Sequence, residues 1–213
     1  MSLNRRAFAL ASAGIISGLA PSAFAQDEKE KATEPATPKG PIEADFERDY
    51  EPPKFKPSWK NKQINRSLAQ DFVIYAHSDL KMIEMLLKRE PGLVNAAIDW
   101  GNGDYETGLG GASHMGRRDI VAYLLKNGAR IDIFCAAMMG LTDVVKTFLT
   151  LEPTLIDAKG PHGLSLHFHA QVGQEQAKPV LDYLQSVKEM KLRPVPWLRR
   201  KKPAGTKKPA AGK

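Results

Sequence analysis

TGLGGASHMGRRDIVAYLLKNGARID, residues 107–132, decides how the chain is read. Thr107 stands where a helix begins, and the small Ala112 and Ser113 lead to Gly116 at a turn. Ile120-Val121 and Leu124-Leu125 then repeat at the spacing of a helix that buries one face. Gly128-Ala129 closes that helix ahead of Asp132. The stretch therefore reads as two short helices joined by a tight turn.

The same design recurs on both sides. Ser78, Gly116, Gly140 and Gly173 align at the turn, 38, 24 and 33 residues apart. A second helix follows each of them, carrying Met82-Ile83 with Leu86-Leu87, Val144-Val145 with Phe148-Leu149, and Val180-Leu181 with Leu184. A further echo joins Glu90-Pro91-Gly92-Leu93-Val94-Asn95 to Glu152-Pro153-Thr154-Leu155-Ile156-Asp157, 62 residues later. The last helix is expected to run to about Leu192, with Pro194 and Pro196 preventing its extension.

These residues resemble an ankyrin repeat: the opening Thr107, the small pair and glycine, the Ile-Val-x-x-Leu-Leu helix and the Gly-Ala ending. Leu166-His167-Phe168-His169-Ala170-Gln171-Val172-Gly173 follows the family's Leu-His-x-Ala-Ala-x-x-Gly run in the fourth unit. The resemblance implies an all-α ankyrin-repeat solenoid of about four helix pairs with projecting loops, spanning residues 67–192, and a non-catalytic scaffold that binds a protein partner. Gly110 and Gly111 depart from it, because the family usually has His and Leu there. Each glycine costs a helix about 1 kcal/mol relative to alanine, so something is expected to occupy the space they leave. Trp100 or Tyr105 is the expected filler, since ring faces pack readily on glycine.

The ends of the chain carry other signals. Arg5-Arg6 precede a modestly apolar run from Ala7 to Ala20, and Ala23-Phe24-Ala25 offers a small-x-small cleavage pattern. Residues 1–25 are thus expected to be a signal peptide, similar to the twin-arginine type with a general secretory signal as the alternative, and the protein to be exported to the periplasm or secreted. Residues 26–66 form a linker rich in charge and proline, disordered at first and then extended through Tyr50, Phe55 and Trp59 as a cap over the first repeat. The formal net charge is +7, yet residues 67–192 hold fifteen acids and twelve bases, whereas residues 193–213 hold eight bases and no acids. The high pI therefore belongs to a basic tail, expected to be disordered, and nucleic acid is not the expected partner of the folded part. Arg199, Arg200, Lys201, Lys202, Lys207 and Lys208 are the expected contacts of that tail with an anionic membrane surface or envelope polymer.

Projecting loops are where a stack of helices usually binds. Asp99, Trp100, Asn102, Asp104, Tyr105 and Glu106 fall in the longest loop, His114 lies beside the glycine gap, and His162 lies in the Gly-Pro-His-Gly turn. All eight are expected partner-binding residues. Asp99, Asn102, Asp104 and Glu106 also offer oxygens to calcium, but their spacing lacks the EF-hand pattern. His167 and His169 stand two apart rather than four, which does not make a helical zinc pair, and no metal site or cofactor is expected. Cys135 is the sole cysteine, so no internal disulfide forms, and neither it nor Ser113 or Ser165 sits in a nucleophile motif. The alternatives to a protein-binding scaffold are a small-ligand or metal-binding envelope protein that uses the glycine groove beside His114, and a tail-driven binder of polyanions.

Overall fold

The computed structural model describes residues 43–198 apart from residue 59. The expected leader, the first part of the expected linker and the six tail cations named above lie outside the described residues.

Regular structure in the described residues consists of eight α-helices, four short 3-10 turns and one hairpin. The helices are α1 (Arg66–Ala76), α2 (Leu80–Arg89), α3 (Gly108–His114), α4 (Arg118–Lys126), α5 (Ile133–Met139), α6 (Thr142–Leu151), α7 (Leu166–Val172) and α8 (Lys178–Val187). α1 packs on α3, α3 on α5 and α5 on α7, while α2 meets α4 and α6 meets α8. The chain is mostly helical, with its helices paired in sequence order. Between α2 and α3 lies the hairpin, β1 (Ala97–Asp99) antiparallel to β2 (Tyr105–Thr107), with Ile98 opposite Glu106.

Each first helix, and α2 as well, starts on a side chain able to accept from its free amides. Asn65, Asp79, Thr107, Asp132 and Ser165 accept from the second or third helical N–H, as in Thr107 Oγ1 from Gly110 N at 3.0 Å and Asp132 Oδ1 from Cys135 N at 2.7 Å. Such caps contribute about 1 kcal/mol each. The sequence echo is equally regular: Glu90 and Glu152 each cap a 3-10 turn, accepting from Gly92 N at 3.1 Å and Thr154 N at 3.2 Å. Two apolar clusters fill the interior. Phe72, Ile83, Leu109, Ile120, Leu124 and Met138 belong to the first, and Val145, Leu166, Val180 and Leu184 to the second.

The turn glycines serve different ends. Gly116 and Gly140 adopt positive φ, whereas Gly173 does not; there a Cβ would stand 2.2 Å from Met138 O, so close approach of α5 demands the glycine. Arg118 ties these turns together, donating to Met138 O at 2.7 Å and Gly173 O at 3.0 Å.

Three expectations about the ends are corrected. α8 stops at Val187 rather than near Leu192, because Lys188 turns extended; its carbonyl accepts from His167 Nε2 at 2.9 Å, and the Gln185 amide binds both polar groups of the Met190 backbone. Beyond it the chain does not leave as a free tail at Arg193. Val195 is buried in the first cluster, Leu198 packs against it, and Trp197 packs on Phe168 with ring centroids 5.7 Å apart. Tyr50 and Phe55 in the linker stay exposed, so neither ring caps α1. No described helix is long and apolar enough to cross a membrane.

His169 is wholly buried on α7, with Nδ1–H donating to Ser165 O at 2.9 Å and the Phe134 ring 5.1 Å away. Burial pulls its pKa down to about 4, against which the Ser165 bond acts weakly. The unfolded chain, with an ordinary histidine near 6.5, then binds the proton first, so stability is full above about pH 6.5 and falls toward pH 4. The loss is expected to reach about 3 kcal/mol in urea unfolding, and His169→Phe is expected to flatten that part of the pH profile.

Candidate metal centre

Four side chains from four parts of the chain converge beside the hairpin: His77, Glu106, His114 and His162, with one nitrogen or oxygen from each lying within 4.8 Å of the others. His77 follows the last residue of α1, and its Nδ1 lies 2.9 Å from Val73 O. A carbonyl only accepts, so Nδ1 carries the proton and Nε2 is turned toward the cluster. Glu106 is inward-facing on β2, where strand alternation leaves its neighbour Tyr105 67% exposed while Glu106 itself is 1% exposed. His114 ends α3 and is buried.

The fourth residue comes from the turn Pro161–Gly163. His162 takes a left-handed φ of 58°, and Asp104 across the gap holds it twice: His162 N donates to Oδ1 at 2.9 Å and Nδ1 to Oδ2 at 3.0 Å. The grip spans 58 residues of sequence and fixes the ring so that Nε2 stands 3.4 Å from Glu106 Oε2. His77 Nε2 stands 3.3 Å from the same oxygen, and His114 Nδ1 is 3.0 Å from Oε1. Trp100 Nε1–H donates to Oε2 at 2.7 Å.

The glycine gap is explained here, and the expected filler is corrected. A Cβ on Gly111 would stand 2.8 Å from the His77 ring, and one on Gly110 would stand 3.4 Å from both Glu106 Cγ and Pro161 Cγ. His77, Glu106 and Pro161 therefore occupy the space, whereas Trp100 is 43% exposed and Tyr105 points outward. Two further expectations change: Glu106 and His114 are buried and present no surface to a protein partner. Asp99 turns back on the hairpin, accepting from Gly101 N at 2.8 Å and Gly103 N at 3.1 Å, and Asn102 sits at its tip with φ 56°. Asp99, Asp104 and Glu106 thus serve three separate tasks and do not form the calcium set considered above.

Electrostatics within the cluster are strong. Burial alone would push the Glu106 carboxyl up, but His114 and His77 hold it well below the usual carboxylate range. Burial likewise works against charge on His77, and its contacts with Glu106 and the Val73 carbonyl raise its pKa in spite of it. The contact of His114 Nδ1 with Glu106 Oε1 is nevertheless not aligned as a hydrogen bond, and both atoms are buried without a hydrogen-bond partner in the protein. Buried polar atoms are rarely left so. Donor atoms gathered at short range but not aimed at one another are the arrangement a shared cation requires.

Distances agree with that chemistry. Donors held about 2.05 Å from a tetrahedral ion lie about 3.3 Å apart. His77 and His162 stand 3.3 and 3.4 Å from Glu106 Oε2, and His114 stands 3.0 Å from the other oxygen, Oε1. Three imidazoles and a carboxylate suit borderline divalent ions of the zinc class rather than calcium or magnesium, which take oxygen sets. Outer partners complete the pattern, since the Val73 carbonyl and Asp104 fix the histidine tautomers and Trp100 steadies the carboxylate.

The helix-spacing test for histidine pairs missed this site because its members lie on different elements. A usable signal was present: with the units aligned on Ser78 and Gly116, His77 and His114 fall one and two residues before the turn of adjacent units. Stacking α1 on α3 brings their rings to 4.8 Å between centroids. Cys135 takes no part; it is buried, and burial pushes its thiol up to about 11. Comparison of the chain with protein-family models, curated proteins and solved structures gave no match, so the functional reading rests on the chemistry of this centre.

Proposed function

We propose that the chain is a metal-binding helical-repeat protein of the ankyrin type, exported to the cell envelope, that holds one divalent ion of the zinc class at His77, Glu106, His114 and His162. The observation that carries the reading is the convergence of these four donors, each backed by a partner that turns it inward or by burial that leaves it unpaired. The ion would clip the hairpin after the first helix pair to the turn before the last. Four helix pairs in sequence order, recurring caps and the doubled Glu-Pro turn support the repeat reading.

Titration of metal-stripped protein with Co2+ tests it. One equivalent is expected to bind with the intense visible bands of a four-coordinate ion, Zn2+ should displace it, and Mg2+ in excess should not. His162→Ala is expected to weaken binding at least about 100-fold, more than the loss of an outer partner costs. Absence of stoichiometric binding would leave the cluster as a buried ion pair and sink the proposal.

A scaffold role toward a protein partner is favoured by one observation: Tyr105 is 67% exposed on the same hairpin that carries Glu106. Large aromatic side chains of this kind anchor protein contacts. In this reading the ion sets the hairpin and Tyr105 meets the partner, without catalysis. Capture of one envelope protein by metal-loaded protein, lost when the metal is removed, is the outcome it requires.

A further inference from the structure

A second concavity lies away from the metal donors, between α7 and the chain that follows α8, with a volume of about 800 Å³. That is within the range of small-molecule sites. Lys159, Lys191 and Arg193 line it together with no carboxylate, and none of the three forms an ion pair among the described residues. Leu164, Phe168, Met190 and Leu192 supply apolar lining. One wall holds His167, which is 1% exposed; its Nε2–H is spent on Lys188 O at 2.9 Å, and its Nδ1 is buried without a partner.

Each feature selects a part of a ligand. Three cations without a counter-charge call for an anion, and a carboxylate accepts from both Lys and Arg. The apolar lining takes a hydrocarbon side chain. We propose that this cleft binds the free carboxyl end of a short apolar peptide, or an acylated amino acid of the same chemistry. The charge and the lining then meet the terminal carboxylate and the last side chain. The site is independent of the metal centre.

Fluorescence anisotropy with dansyl-Gly-Ala-Leu tests the proposal in the full-length protein, with the C-terminal amide of the same peptide as the uncharged probe. The free acid is expected to bind about tenfold or more tightly than the amide, the factor associated with a hydrogen bond to a charged group. Lys191→Glu with Arg193→Glu, both at exposed positions, should abolish that preference without lowering thermal stability. Because the tail also carries positive charge, a variant with Lys201, Lys202, Lys207 and Lys208 changed to Gln should keep it. Equal binding of acid and amide, no binding of either at millimolar concentration, or loss of the preference in the tail variant alone would each overturn the proposal.

Discussion

Saturating Zn2+ should raise the thermal midpoint of the metal-stripped protein by roughly 12 °C. The expectation follows from linkage: a ligand at a thousandfold its dissociation constant, bound to the folded state alone, adds about 4 kcal/mol. In a domain of this size each kcal/mol moves the midpoint by about 3 °C. Zinc-binding histidines in the unfolded chain would lower the figure, but His77 and His162 stand 85 residues apart and the unfolded chain gathers them only at a cost in loop closure. The effect should be specific. Magnesium at the same concentration should leave the midpoint unchanged, because three imidazoles are poor ligands for it. His162→Ala should remove most of the zinc-dependent gain yet barely move the metal-free midpoint, since that ring is part-exposed and sits in a turn. Differential scanning calorimetry with and without chelator reads all of this. A midpoint that ignores zinc would show that the four donors hold no ion.

The mostly helical fold was legible because its signals are local. Thr107, Asp132 and Ser165 announce helix starts within three residues of the amides they cap, and Ile120-Val121 with Leu124-Leu125 sets one buried face. Glu90-Pro91 and Glu152-Pro153 looked alike and fold alike, with backbone angles at the two glutamates differing by only a degree in φ. The centre was not legible in the same way, because its geometry is made by stacking. Nothing within ten residues of His77 or His162 marks either as a ligand; what unites them is Glu106, delivered by a hairpin whose register follows from strand pairing. Loop composition drew attention to Asp99, Trp100, Asp104 and Glu106 as a surface. Folding divides these four among a turn cap, a half-exposed indole, an outer carboxylate and a buried ligand. The end of α8 was misplaced for a related reason: His167, distant in sequence, takes the Lys188 carbonyl that a continuing helix would have used.

The two glycines supply the sharpest separation of stability from function. Gly111→Leu puts a good helix former at this position, and in the helix it should recover about 0.8 kcal/mol of backbone propensity. Its Cβ, however, would stand 2.8 Å from His77 Cε1 and 2.9 Å from Nδ1, closer than side chains approach one another, so the imidazole must swing out. The ring then loses its bond to Val73 O, and the cluster loses one of four donors. Removing one strong donor from a four-coordinate site should cost at least about 100-fold in metal affinity, above the 10- to 100-fold typical of outer-partner losses. The two effects are thus opposed: metal-free stability within about 1 kcal/mol of the parent, and zinc affinity largely gone. Such opposition is characteristic of positions whose residue is kept for a site and not for the fold. A double-mutant cycle assigns the cause. If Gly111 acts by making room for His77, then Gly111→Leu should weaken zinc binding in the parent but hardly further in a His77→Ala background. Full additivity of the two substitutions would show that the glycine acts elsewhere, and zinc binding by Gly111→Leu at parental affinity would remove His77 from the ligand set.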